Sequence, residues 1–389
     1  MMKKIAILLS CYAFEHLFPN MGFSFESYLN EYRNDWSWDY LIGLREQNIE
    51  AYLYIPSMNH SGIFETQEGY KIRFVKLSSL YQYTWRLFVR GRRFKPITYL
   101  AESTNTLAFS DELSSCLNTD QISLLYTQEY WTNRFDILVD KVQIPIIGAD
   151  HGGNDKLSFA SVKQRTLQKA YKITCQTKGE LEKVKALGGD AVFLANGVDV
   201  DLFCPSLEAE ANSEKIIFTV AKLYNRQKRI SDLINALVYL DPEWILEIAG
   251  TGPDLMSLKE LADGLSISHR IRFLGFIKDK ETLRDKYQQC SVFALPSASE
   301  AVAIAMLEAM SCGTAVVASE IPAFESLVFD GINGVKVPVA QPEILAQGIL
   351  RCYENRDSYG AEARKTILKS FSSQTTFSQL AGLINSCPV

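Results

Sequence analysis

Residues 296–319 read PSASEAVAIAMLEAMSCGTAVVAS. Small apolar side chains dominate the run, yet it keeps Glu300 and Glu308 and ends its helix-like part at Gly313. A carboxylate buried without a partner costs several kcal/mol, so two of them in such a segment call for a reason. The preceding CSVFALP has the continuous apolar pattern of a strand covered on both faces. SASE is then the turn beyond its carboxyl end, AVAIAMLEAM a helix starting at about residue 301, and TAVVAS the next strand. Glu300 stands just ahead of that helix, where free N–H groups favour an anion, and Glu308 lies two turns on, ~12 Å away at ~1.5 Å per residue.

Strand, helix, strand in this spacing is a parallel unit, and the same rhythm runs along the chain. KIAILLS, AYLYIP, KIRFVKL, ISLLYT, QIPIIGA, YKITCQ and AVFLA mark strands in the first half; KIIFTVA, WILEIAG, IRFLGF, SVFALP and TAVVAS mark them in the second. The fold class is α/β with parallel sheets. A length of 389 residues and 47% hydrophobic composition fill two cores on a prior of ~150 residues per domain. The linker falls at NGVDVDLFCPSLEAEANSE, residues 196–214, which holds a turn dipeptide, a proline and a charged, aromatic-poor tail. Two doubly wound domains facing each other across a cleft are the expected architecture, with ligands beyond the carboxyl ends of the strands.

The formal net charge of -5 offers no global basic surface, which argues against nucleic acid as partner. Eight cysteines are scattered without a C-x-x-C pair, several inside apolar runs, and read as reduced, packed thiols of a cytoplasmic protein. MMKKIAILLSCYAF has a signal-like Lys pair and apolar run, but no small-x-small site follows, and a first buried strand from residue 4 to about 10 is expected instead. No apolar run approaches the ~18 residues that span a bilayer.

The spacing of Glu300 and Glu308 suits an extended ligand with hydroxyls at both ends and a diphosphate between them, as in a nucleotide sugar. The small side chains of Ala301, Ala303 and Ala305 would let backbone approach it. Taken alone, the pair suits equally a helix-dipole residue followed by an ordinary exposed Glu. Lys222 and Lys228, with Arg226 and Arg229 beside them, follow an apolar strand, where cations neutralise a departing diphosphate; a solvated basic helix start is the plainer reading. His151 in IIGADHGG follows a strand and precedes a glycine pair, at a strand exit of the first domain. Asp199 and Asp201 imitate a metal-binding Asp-x-Asp but fall in the inter-domain turn, and Leu255 spoils the dinucleotide pattern begun at Gly250. SLYQYTWRLFVRGRRFKPITYL interleaves aromatics with Arg86, Arg90, Arg92, Arg93 and Lys95; it reads either as a solvated face or as a surface lying on an anionic membrane.

The opening stretch resembles the donor-site signature of glycosyltransferase family 4, in which two Glu separated by seven residues precede a helix end and strand of the type LEAMSCGTAVVAS. LANGVDVDLFCP resembles the family's inter-domain turn and TVAKLYNRQKRISDLINAL its phosphate-binding strand-loop-helix. LEIAGTGPDLMSLKELA and IRFLGF resemble its following strands, and DGINGVKVPV its late loop, so the likeness covers nearly the whole chain. Lys228 matches the family's lysine; Lys222 stands where the family usually has Arg, and Ala301-Val302-Ala303 where it usually reads Gly-Phe-Gly.

The resemblance implies the GT-B fold, with an acceptor-side domain over 1–196, a donor domain over 197–370 and a helix, 371–389, crossing back to the first domain. It implies catalytic roles for His151, Glu300 and Lys228. Lys222 and Lys228 would hold the diphosphate with the helix start after Glu300, backbone near Phe276 and Ile277 the base, and Glu308 the ribose; Ala301, Val302, Ala303, Ile304 and Ala305 would line the donor, and Gly22 the acceptor side. The implied activity is retaining, metal-independent and cofactor-free transfer of a hexose, with UDP-glucose as the expected donor, to a glycan or lipid-linked acceptor in polysaccharide or glycolipid synthesis. A sugar-nucleotide epimerase or hydrolase would need more acid/base residues than His151. A non-catalytic nucleotide-sugar-binding protein draws support from the glycines replaced by Ala301 and Ala303, against the presence of Glu300, Glu308 and Lys228.

Overall fold

The computed structural model describes residues 3–9, 12–19, 23–33, 36–81, 83–85, 95–150, 159–206, 214–300 and 303–388. Gly22, Arg86, Arg90, Arg92, Arg93, His151, Ala301, Val302 and the side chain of Lys95 lie outside these residues. The chain divides into two units, Met1–Leu194 together with Phe377–Val389, and Ala195–Thr376.

The strands of the first unit are β1 Lys4–Leu8, β2 Glu50–Ser57, β3 Gly62–Glu65, β4 Lys71–Lys76, β5 Leu124–Gln128, β6 Ile146–Ala149, β7 Lys172–Cys175 and β8 Ala191–Phe193. They form one sheet in the order β3-β4-β2-β1-β5-β6-β7-β8. KIAIL is central because β1 pairs in parallel with both β2 and β5. The period of two along a strand sends Ile5 and Ile7 to one face, with Trp38, Phe377, Leu380 and Ile384, and Ala6 and Leu8 to the other, with Tyr54, Phe109 and Leu113. Each large apolar side chain so buried contributes roughly 1.5–3 kcal/mol. The last helix, Ser373–Ser386, therefore supplies part of the core around the first strand. One strand departs from the parallel expectation: β3 runs antiparallel to β4. It is short, alternates half-buried and exposed residues, and closes the sheet edge through a tight connection that needs no crossover helix.

The second unit holds β9 Lys215–Val220, β10 Trp244–Ala249, β11 Ile271–Gly275, β12 Val292–Leu295, β13 Val316–Ser319 and β14 Val335–Val337. Their order is β11-β10-β9-β12-β13-β14, every pair parallel. Trp244, Leu246, Ile248, Leu233, Val292 and Val317 lie in its core. The strand order reverses between β9 and β12, and in such sheets the crevice for a ligand opens there, outside the carboxyl ends. Two glycines draw the loop after β10 against the loop after β9. A Cβ on Gly250, whose φ is +125°, would stand 1.9 Å from the Ala221 carbonyl oxygen, and one on Gly252 would stand 2.4 Å from that of Leu223. The glycines of GTGPDL thus serve loop packing. Among the described residues no helix is long and apolar enough to cross a membrane.

Candidate functional site

Two loops flank the point where the second sheet reverses. The first leaves β9 at Val220, passes Lys222, and forms a single helical turn, Asn225–Lys228. Arg229 follows in the left-handed region at φ 54°, which costs a non-glycine residue about 1–2 kcal/mol. Its guanidinium grips the Asp232 carboxylate through Nε at 2.9 Å and Nη2 at 2.8 Å, which offsets that cost and starts the next helix, Ile230–Ala236. Asn225 pins the turn from inside, donating from Nδ2 to Ser231 and accepting from the Ser231 N–H, each at 2.9 Å.

The second loop leaves β12 at Leu295 and carries Ser297 and Glu300. Lys228 Nζ donates to Glu300 Oε1 at 2.6 Å and Oε2 at 2.7 Å, and Ser297 Oγ donates to Oε1 at 2.5 Å. The side chain of Glu300 is 6% exposed and that of Lys228 18%. Gln227 ties the loops at the main chain, its carbonyl accepting from the Ala298 N–H at 2.8 Å and its Nε2 donating to the Ser299 carbonyl at 3.1 Å. The carboxylate in the opening stretch thus has its reason: it is buried because it is paired.

The helix expected from about residue 301 opens instead at Ile304 and runs to Ser311, with Ala303 as its N-cap and no side-chain cap. Glu300 is therefore four residues ahead of it, and its charge is met by Lys228 and Ser297 rather than by the free N–H groups of a helix. Ala303 is buried, Ala305 half-buried and Ile304 exposed. Glu308 sits in the second turn, where its Oε2 accepts from the Tyr287 hydroxyl at 2.8 Å. Burial pushes the Tyr287 phenol well above its ordinary value, so it stays a donor and fixes the carboxylate.

The four cations read together in the sequence are not equivalent. Lys228 and Arg229 are neutralised by Glu300 and Asp232, whereas Lys222 and Arg226 are exposed and have no charge partner among the described residues. Phe276, exposed, and Ile277, half-buried, follow Gly275 at the carboxyl end of β11, on the same edge of the sheet. Asp199 is a turn residue, its Oδ1 accepting from the Asp201 and Leu202 N–H groups at 3.0 Å. Sequence reasoning missed Ser297, Gln227, Tyr287 and Asp232. Only Ser297 left a signal, the Ser-x-x-Glu spacing to Glu300.

In sequence the chain is similar to the phosphatidyl-myo-inositol mannosyltransferase of Mycobacterium tuberculosis, 30% identical over 303 residues, which are 72% of this chain and 79% of that one. The chain belongs to the group 1 glycosyl transferases. The model of that family matches residues 207–367, which include Lys222, Lys228, Glu300 and Glu308. This is the family 4 type of glycosyltransferase that the opening motif resembles, and its fold is GT-B. Sucrose-phosphate synthase from Thermosynechococcus elongatus has the same fold, with a TM-score of 0.77 at 17% identity over 98% of both chains. So does HepE of Anabaena, solved in complex with UDP-glucose, with a TM-score of 0.69 at 18% identity over 98% of this chain and 99% of that one.

Proposed function

We propose that this glycosyltransferase transfers a hexose from a nucleotide sugar, UDP-glucose, to a glycan or lipid-linked acceptor with retention of configuration and without a divalent metal. The observation that carries this reading is the convergence of Lys228 and Glu300 from the two loops at the sheet reversal, with Lys222, which has no charge partner among the described residues, exposed on the same loop as Lys228. Lys222 and Lys228 supply positive charge to the diphosphate, Glu300 meets hydroxyls of the sugar, Glu308 meets the ribose, and backbone near Phe276 and Ile277 meets the base. In the reaction the bond from the anomeric carbon to the phosphate oxygen breaks and a bond to the acceptor oxygen forms on the same face. The acceptor proton passes to the departing phosphate, and stabilising that anion is the main task of the cations. His151 is assigned to the sugar near the reacting carbon and Gly22 to the acceptor side by family resemblance.

HepE, solved with UDP-glucose, supports the choice of donor only through a shared fold. A second reading follows from the relative named as a mannosyltransferase, in which the hexose is mannose and the acceptor an inositol lipid. Incubating the protein with UDP-glucose or GDP-mannose, each with glycan and lipid acceptors, and measuring released nucleotide separates them. Release from UDP-glucose alone is expected; release from GDP-mannose alone replaces the first reading by the second, and release from neither removes both.

A further inference from the structure

We propose that Ser297 is a positioning residue for Glu300, its hydroxyl holding the carboxylate in place when the Lys228 ammonium turns from it to the donor diphosphate. This rests on the reading above, in which Lys228 serves the diphosphate and Glu300 the sugar.

An ammonium has three donors and no acceptor, and in this structure two of the contacts of Lys228 go to one carboxylate. A diphosphate carries more charge than Glu300 and draws the same ammonium. Glu300, whose side chain is 6% exposed with Lys228 seated on it, then loses its charged partner. Among the described residues, the Ser297 hydroxyl is the donor that remains. Ser297 is fully buried, its Oγ lies 2.5 Å from Glu300 Oε1, and it belongs to the same loop, so it keeps its place whatever Lys228 does. Gln227 holds the main chain of that loop at Ala298 and Ser299, which leaves the direction of the Glu300 side chain to Ser297. Helix capping does not explain the contact, although the spacing resembles a capping box, because the helix opens only at Ile304.

The test compares wild type, Ser297→Ala, Glu300→Gln and the double variant by calorimetry with UDP and by turnover of the accepted nucleotide sugar. Ser297→Ala is expected to keep UDP affinity within about twofold and to lower kcat about 10- to 100-fold, the scale of one hydrogen bond to a charged group. In the Glu300→Gln background the same change should cost less than about twofold more, since it acts through a carboxylate already gone. Additive losses, with Glu300→Gln itself impaired, overturn the positioning role and leave the proposed function standing. Loss of UDP binding by Ser297→Ala in step with turnover makes Ser297 structural and also overturns it. Wild-type turnover by Glu300→Gln removes the sugar role of Glu300, and both readings fall together.

Discussion

The Lys228 ammonium bridges both oxygens of Glu300, at 2.6 and 2.7 Å, across 72 residues of chain. The two partners are unequally buried, so removing them has unequal costs. Lys228→Met leaves a nearly buried carboxylate with one neutral donor and should cost about 2–4 kcal/mol of stability, whereas Glu300→Gln frees a lysine that reaches water and should cost about 1 kcal/mol. Urea unfolding of both variants checks the asymmetry; equal losses contradict it.

Nucleotide affinity should separate the two glutamates. If Glu308 holds the ribose, Glu308→Ala weakens UDP binding by about 1.5–3 kcal/mol. Glu300→Ala should leave UDP binding intact or slightly tighter, because it releases Lys228, while lowering turnover on the order of a hundredfold. Calorimetry and steady-state rates decide. A Glu300→Ala protein that binds UDP as poorly as Glu308→Ala would show that the roles are misassigned.

If Lys222 and Lys228 supply the charge a metal would bring, turnover should survive exhaustive chelation. The measurement is nucleotide release before and after chelator treatment. Activity lost on chelation and recovered with magnesium or manganese rejects metal independence.

In the first unit, burial pushes the Glu180 carboxyl up to about 7 from its ordinary 4.5, with the charge of Asp150 adding to the rise and hydrogen bonds from the Tyr130 hydroxyl and the Gln176 and Thr177 N–H groups opposing it. The folded protein holds this proton more tightly than the unfolded chain. Stability from Glu180 is therefore full below pH 4.5 and is lost as pH rises through about 7. Glu180→Gln should gain on wild type by about 2–3 kcal/mol between pH 5 and pH 8. Denaturant midpoints for both proteins across that range test the sign, and parallel curves refute it.

The cations Arg86, Arg90, Arg92, Arg93 and Lys95 should give salt-sensitive attachment to anionic lipid, at about 1 kcal/mol each near the surface. Vesicle flotation at low and high salt measures it. Equal recovery with neutral and anionic vesicles counts against the electrostatic account.

The strands were legible where both faces are covered, because KIAIL, KIIFTV and VFAL then read as unbroken apolar runs. β3 and β14 escaped notice, one an exposed edge of alternating residues and the other only Val335–Val337. Lys228 and Glu300 were legible as charges at strand exits, but their pairing was not, since nothing between two positions 72 apart encodes which loops meet. The helix start was misjudged because small residues such as Ala303 and Ala305 suit a helix and a loop alike. The grip of Tyr287 on Glu308 is likewise a contact between separate helices, invisible to any local pattern.

The placement of Phe377, Leu380 and Ile384 beside Ile5 and Ile7 sets an order of events during synthesis. The strand at the centre of the first sheet is made well before Ser373–Ser386, the helix that completes one of its faces. With synthesis at roughly 5–20 residues per second, the intervening stretch holds that apolar surface open for tens of seconds. A growing chain thus completes every strand of its second unit while the first still lacks part of its core.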